Sequence, residues 1–271
     1  MIVVKDFKER VFSSKEELHL ALKDNKKTLI DFKKAVIKEA DGVLFSLDKS
    51  INDATTKAIK LEEGFFYPII NTTLYLDSHN DFHANNLWNK SAKEQNGNIY
   101  YVADHKLEVE KVIAHPQDVE IMVKTISWKD LGAPYEGETQ ALVYKISKSK
   151  IKLSVVKDIV NENIPIQNSV CMQYVKMLLC VDSKMPDFLE EKANFDKYYP
   201  MIVNKEAVEG TGYFWAILEA KIYREGSMVI AGSNPITPIL QTIEADTITS
   251  TKSIEPQKST RKNINNILFT N

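Results

Sequence analysis

The chain has 271 residues, 44% of them hydrophobic and 27% charged, and a net charge of -2 at pH 7. This is the composition of a globular protein with at least one sizeable core. It supplies no basic field for nucleic acid or an anionic membrane, and no stretch approaches the roughly 18 apolar residues that a membrane helix needs. Met1 to Arg10 lacks the charged start, apolar block and small-residue cleavage site of a signal peptide, so a cytoplasmic location is expected. In that setting Cys171 and Cys180, which share one apolar run, are read as reduced thiols.

In chain order, the first expected element is a helix over Lys15–Lys23. Ser14 stands three residues before Glu17, the spacing of a capping box. After Asn25, Leu29, Phe32, Val36 and Ala40 recur at helical spacing until Asp41-Gly42. Lysines are expected to cover the solvated face, and His19 is placed at the surface. This stretch, residues 1–42, is read as a helical leader that packs on the main body or docks on a partner. Residues 43–240 are β-rich. Strands are expected at Phe65–Leu76, Ile99–Val102, Val119–Ser127, Thr139–Ile146, Ser169–Val181 and Tyr213–Tyr223, with helices at Val155–Asn161 and from Pro186 to Pro200. The region reads as one α+β domain around an antiparallel sheet or barrel. Residues 241–271 are rich in Thr, Ser, Lys, Glu and Asn and end in Ile264-Asn265-Asn266-Ile267-Leu268-Phe269. They read as a flexible tail, either a tether or a frayed terminus.

Residues able to carry chemistry are few. Asp77-Ser78-His79-Asn80-Asp81-Phe82-His83 would present carboxylates and imidazoles to a metal if it were helical, but its Asp, Ser and Asn are also those of a turn. No further Cys or His cluster completes a closed zinc site. His105 ends the apolar run that starts at Ile99. Ser169 opens an alternating strand in which Cys171 faces the same way. Glu225 falls between two apolar runs, ahead of Gly226-Ser227. Hydrolysis by a serine needs a hydroxyl, a base within reach of it, and a polar group that holds the base. His105, Ser169 and Glu225 are residues of those types, in the order His, Ser, Glu; spacing alone does not join them. The chain has no G-x-S-x-G elbow, which argues against an α/β-hydrolase.

Taken together, several segments resemble the prohead, or capsid-maturation, protease family of tailed bacteriophages, especially the versions from phages of Bacteroidetes hosts. Ser14-Lys15-Glu16-Glu17-Leu18 through Asp41 is similar to that group's leader, and Asp77–His83 to its Asp-Ser-His-Gly-Asp-x-His segment. Ala103-Asp104-His105 resembles the motif of the family's catalytic histidine. Ile126–Gly132 resembles a downstream block, and Gln167–Lys176 the serine motif, usually Ser-x-Gly. Gly212–Ala216 and Glu225-Gly226-Ser227-Met228-Val229 resemble the late strands, where the family has Glu-Val-Ser, and Gly232–Pro238 closes the domain in a similar way.

The resemblance implies a fold like the herpesvirus assemblin proteases, a mostly antiparallel β-barrel ringed by helices. It implies a serine endopeptidase within the procapsid, in the host cytoplasm, that cleaves scaffolding protein and extensions of the major capsid protein. Those two proteins are the expected partners, with a homodimer by analogy and no nucleic acid or membrane. By the same resemblance Ser169 is the nucleophile, His105 the general base and Glu225 the third member. In the assemblin relatives that third position is a second histidine, but neither His79 nor His115 lies in the matching motif. No cofactor or metal is implied. Two residues depart from the family: Cys171 replaces Gly beside the oxyanion site, and Gly226 replaces Val and is expected to loosen its strand. These departures keep open a catalytically impaired protein with a structural or scaffolding role in the head, and a Cys171 nucleophile.

Overall fold

The computed structural model describes residues 1–8, 10–35 and 59–242. The expected helical turns at Val36 and Ala40, their Asp41-Gly42 stop, and the tail beyond Thr242 lie outside the described residues. A short hairpin, β1 (Ile2–Val3) and β2 (Val11–Phe12), leads into α1 (Lys15–Asp24) and α2 (Lys26–Ala35). There follow β3 (Phe65–Thr72), β4 (Asp81–His83), α3 (Asn89–Gln95), β5 (Tyr100–Ala103) and β6 (Val112–Ala114). Next come β7 (Val119–Ser127), β8 (Glu138–Ser147), α4 (Ser154–Asn161) and β9 (Gln167–Val181). The described chain closes with α5 (Leu189–Tyr198), α6 (Glu206–Glu209), β10 (Tyr213–Val229) and β11 (Ile239–Gln241).

The fold is α+β. A four-stranded antiparallel sheet has the order β11-β3-β8-β7. The five-stranded sheet is organised by β10, which pairs antiparallel with β9 along its length. On its other edge β10 receives β4 and β5 as parallel neighbours, and β6 continues from β5. Among the described residues no sheet closes on itself into a barrel. Hydrogen bonds from flanking residues join the two large sheets instead. Asn168 N donates to Thr237 O at one side, and Leu74 N to His83 O at the other.

Long strands survive here by bending at irregularities. Between the pairs Ile222–Met172 and Gly226–Val170, three residues of β10 stand against Cys171 alone. On the other edge of β10, α3 caps the gap between β4 and β5: Gln95 Nε2 donates to Ile222 O and Ile222 N to Ser91 Oγ.

The N-terminal helices are part of the same core. Phe12, Leu18 and Leu22 pack in one apolar cluster with Phe188, Leu179, Tyr213 and Trp215. Ser14 caps α1 as its spacing predicts, its Oγ accepting from Glu17 N at 3.2 Å. The return arm of the box goes to Ser13, whose N and Oγ both donate to Glu17 Oε2. Three expectations for this region change. His19 is buried, with Nε2 2.9 Å from Thr211 O. Phe32, expected in the apolar stripe, is 61% exposed, because the face of α2 that meets the body carries Leu29 and Lys33. Lys33, expected on the solvated face, is buried among Asp81, Asp6 and the ring of Trp215.

Candidate functional site

Glu225 and Ser227 are two apart on β10, so their side chains project from one face. Gly226 between them faces the other way. β5 runs beside this stretch with Tyr100 against Glu225 and Val102 against Ser227. The chain leaves β5 at Ala103 through Asp104 and His105, both left-handed with φ of 54° and 55°. Asp104 N donates to Met228 O and Lys106 N to Ala103 O, which closes a tight turn back over β10. Non-glycine residues at such φ are held only when their surroundings dictate it, and such positions cluster at functional sites.

The turn brings His105 Nδ1 to 2.6 Å from Glu225 Oε1. A carboxylate only accepts, so Nδ1 carries a proton, and in the neutral ring Nε2 presents a lone pair. Nε2 is buried and has no hydrogen-bond partner among the described residues. The second carboxylate oxygen, Oε2, accepts from Ser227 Oγ at 2.6 Å, and that same Oγ accepts from the backbone N–H of His105 at 3.0 Å. Glu225 is 1% exposed. A buried carboxylate is tolerated when both oxygens are bonded, and here each has a donor.

Ser169 sits directly across from Ser227 on β9. Opposed residues of an antiparallel pair share a face, with Cβ atoms about 5 Å apart. Ser169 is therefore on the same face as Glu225 and Ser227, and is 7% exposed. The three strands β5, β10 and β9 thus deliver His105, Glu225 and Ser169 to one place. His105 and Glu225 are bonded. Among the described residues no hydrogen bond joins Ser169 to His105.

Gly226 stands where β10 resumes its pairing with β9 after the bulge, and its missing side chain leaves room for Tyr144. A Cβ at this position would lie 2.7 Å from Cε2 and 2.9 Å from the hydroxyl of Tyr144. The tyrosine ring fills the volume that a larger residue at 226 would need. The Tyr144 hydroxyl is buried without a hydrogen-bond partner among the described residues. Its pKa is held well above the usual range, first by burial and then by the nearby Glu225 charge. Cys171 is buried opposite the β10 bulge, and neither it nor Cys180 is in a disulfide.

The Asp77–His83 segment is a turn entering β4. Asp77 Oδ1 accepts from His79 N and Asp81 N, and Asn80 is left-handed at φ 59°. Asp81 is committed to Lys33 Nζ at 2.8 Å and to the Tyr174 hydroxyl at 2.7 Å. His83 Nδ1 lies 3.1 Å from Asn71 Nδ2. Among the described residues no group of three or more His, Cys, Asp or Glu is placed to hold a metal ion. A cavity of about 370 Å³ opens elsewhere, between Lys15, Asp182, Phe195, Tyr199 and Gly212, and takes in none of the three site residues.

Comparison with known proteins finds no match: no protein-family model, no curated protein and no solved structure is significantly similar to the chain. The strand-to-strand geometry therefore carries the functional argument. Ser227 was not singled out by sequence, although its position two residues after Glu225 in a strand was a usable signal. Tyr144 had no such signal, since its contact with Gly226 spans about eighty residues of chain.

Proposed function

We propose that this chain is a serine endopeptidase of phage head maturation, with an assemblin-like arrangement of strands. The observation that supports this most is the buried imidazole of His105, held by Glu225 on one nitrogen and open on the other, one strand away from Ser169. In this reading the Ser169 hydroxyl attacks a peptide carbonyl and His105 Nε2 takes its proton. The proton passes to the leaving amine, and water then hydrolyses the acyl-enzyme by the same route. Glu225 holds the imidazole in the tautomer that leaves Nε2 basic. The serine–histidine bond forms when substrate closes the site, as nucleophile–base contacts often do. Scaffolding protein and extensions of the major capsid protein are the proposed substrates, met inside the procapsid in the host cytoplasm. No described helix is long and apolar enough to cross a membrane.

Two observations favour a second reading. Among the described residues no hydrogen bond joins Ser169 to His105, and Cys171 stands where the family has Gly, which fits a protease fold kept as a structural or scaffolding head component. Co-expression with capsid and scaffolding proteins separates the two. Cleavage by the wild type that disappears in Ser169→Ala is expected. Cleavage that survives Ser169→Ala and disappears in Cys171→Ala would move the nucleophile to the thiol. No cleavage by a folded wild type would favour the structural role.

A further inference from the structure

Glu225 and His105 are 120 residues apart in sequence and come from different strands. Something must fix their relative position to within a few tenths of an ångström for the imidazole to act as a base. The Glu225–His105 bond alone leaves the carboxylate free to rotate about its last torsion, and it leaves the left-handed turn at Asp104–His105 unsupported at the His105 amide.

We infer that Ser227 is a positioning residue whose single hydroxyl holds the acid and the base together. The inference rests on the peptidase reading above. The Ser227 Oγ donates its one proton to Glu225 Oε2 at 2.6 Å, and a lone pair accepts the His105 N–H at 3.0 Å. The donated bond locks the carboxylate plane, so that Oε1 faces the imidazole. The accepted bond ties the His105 backbone to the same strand that carries the carboxylate. Ser227 is fully buried, so water does not compete for either bond. It is also the residue paired with Ser169 across the β9–β10 ladder. Any displacement of Ser227 is therefore transmitted to acid, base and nucleophile at once. An alanine here would leave Glu225 Oε2 and the His105 amide without partners while keeping the strand intact.

The test combines a chemical probe with a spectroscopic one. A fluorophosphonate probe reports the reactivity of Ser169: Oγ bonds to phosphorus, fluoride leaves, and the proton goes to His105. The rate of labelling in Ser227→Ala is expected to fall about 10- to 100-fold relative to wild type, with Ser169→Ala as the unlabelled control. The 15N shifts of the His105 ring, followed against pH, are expected to change in Ser227→Ala. In the wild type, the His105 amide is expected to be protected from hydrogen exchange. This last reading needs no variant to fold, and an amide that exchanges like an open loop would overturn the inference. Wild-type labelling rate and an unchanged imidazole in folded Ser227→Ala would overturn it too, leaving the peptidase reading standing. A wild type that does not label, but whose imidazole shifts on Ser227→Ala, would sink the peptidase reading and keep the clamp.

Discussion

At the scale of single residues, Gly226 and Tyr144 behave as one unit. The missing side chain at 226 is the space occupied by the ring at 144. Gly226→Val should lower stability by about 1–3 kcal/mol, the usual penalty for overpacking. The same change in a Tyr144→Leu background should recover part of that loss. Urea midpoints of the four members of the cycle give the coupling, and additive losses would show that the two residues are independent. Gly226 could be named from sequence as a departure from the family pattern, but its physical reason could not. Only the fold brings β8 behind β10 at that point.

At the scale of elements, α2 is held to the body by charge as well as by apolar contact. Lys33 is 3% exposed, and its Nζ lies 2.8 Å from Asp81 and 3.2 Å from Asp6. Burial works against its charge, but the two carboxylates outweigh that and keep its pKa raised. The same carboxylates take bonds from Tyr174, Tyr213 and Trp215, so hairpin, helix and both long strands share one buried network. Removing one partner of such a group strands the others in a dry interior. Lys33→Met should therefore destabilise the fold by about 3–5 kcal/mol, and adding Asp81→Asn should restore part of it. Chemical denaturation measures both. A loss below about 1 kcal/mol, typical of exposed pairs, would mean that the network is open to water. The periodicity of α2 put Lys33 on the wet side because a lysine reads as exposed unless its partners are known. Those partners lie near residues 6 and 81, beyond the reach of any local pattern.

For the whole molecule, two buried groups set opposing pH trends. Asp77 has its pKa pushed up to about 6, first by burial and then by the charge of Asp81, with His79 and two backbone N–H groups pulling the other way. Its native pKa lies above its unfolded value. The stability it contributes is therefore complete below about pH 3.9 and is lost as pH rises through about 6. His19 is depressed, chiefly by burial. Its contribution is present above about pH 6.5 and is lost as pH falls through its lower native value. Asp77→Asn should remove the first trend and leave the second. Relative to wild type, the variant should gain up to about 3 kcal/mol on moving from pH 4 to pH 7, read from denaturant midpoints at the two ends. Parallel pH profiles for the two proteins would place Asp77 in a wetter site than its burial indicates.

Local pattern is enough to place many of the elements. Alternation marked β7, β8 and most of β9 to within a residue or two, and the Ser14–Glu17 spacing marked the start of α1. It missed β1, β2, β4, β6 and β11, which are two or three residues each and too short for a period to show. It also ended β10 at Tyr223, because Arg224, Glu225 and Gly226 interrupt the apolar pattern at the bulge. His105, Ser169 and Glu225 are legible through resemblance to a family and not through periodicity. Which of these residues meet is settled by the packing of distant strands. The bond from Glu225 to His105, the Ser227 hydroxyl that serves both, and the place of Ser169 across the ladder depend on β5 and β9 flanking β10. Strand order is a non-local choice, made by the core as a whole, and a short stretch of sequence does not carry it.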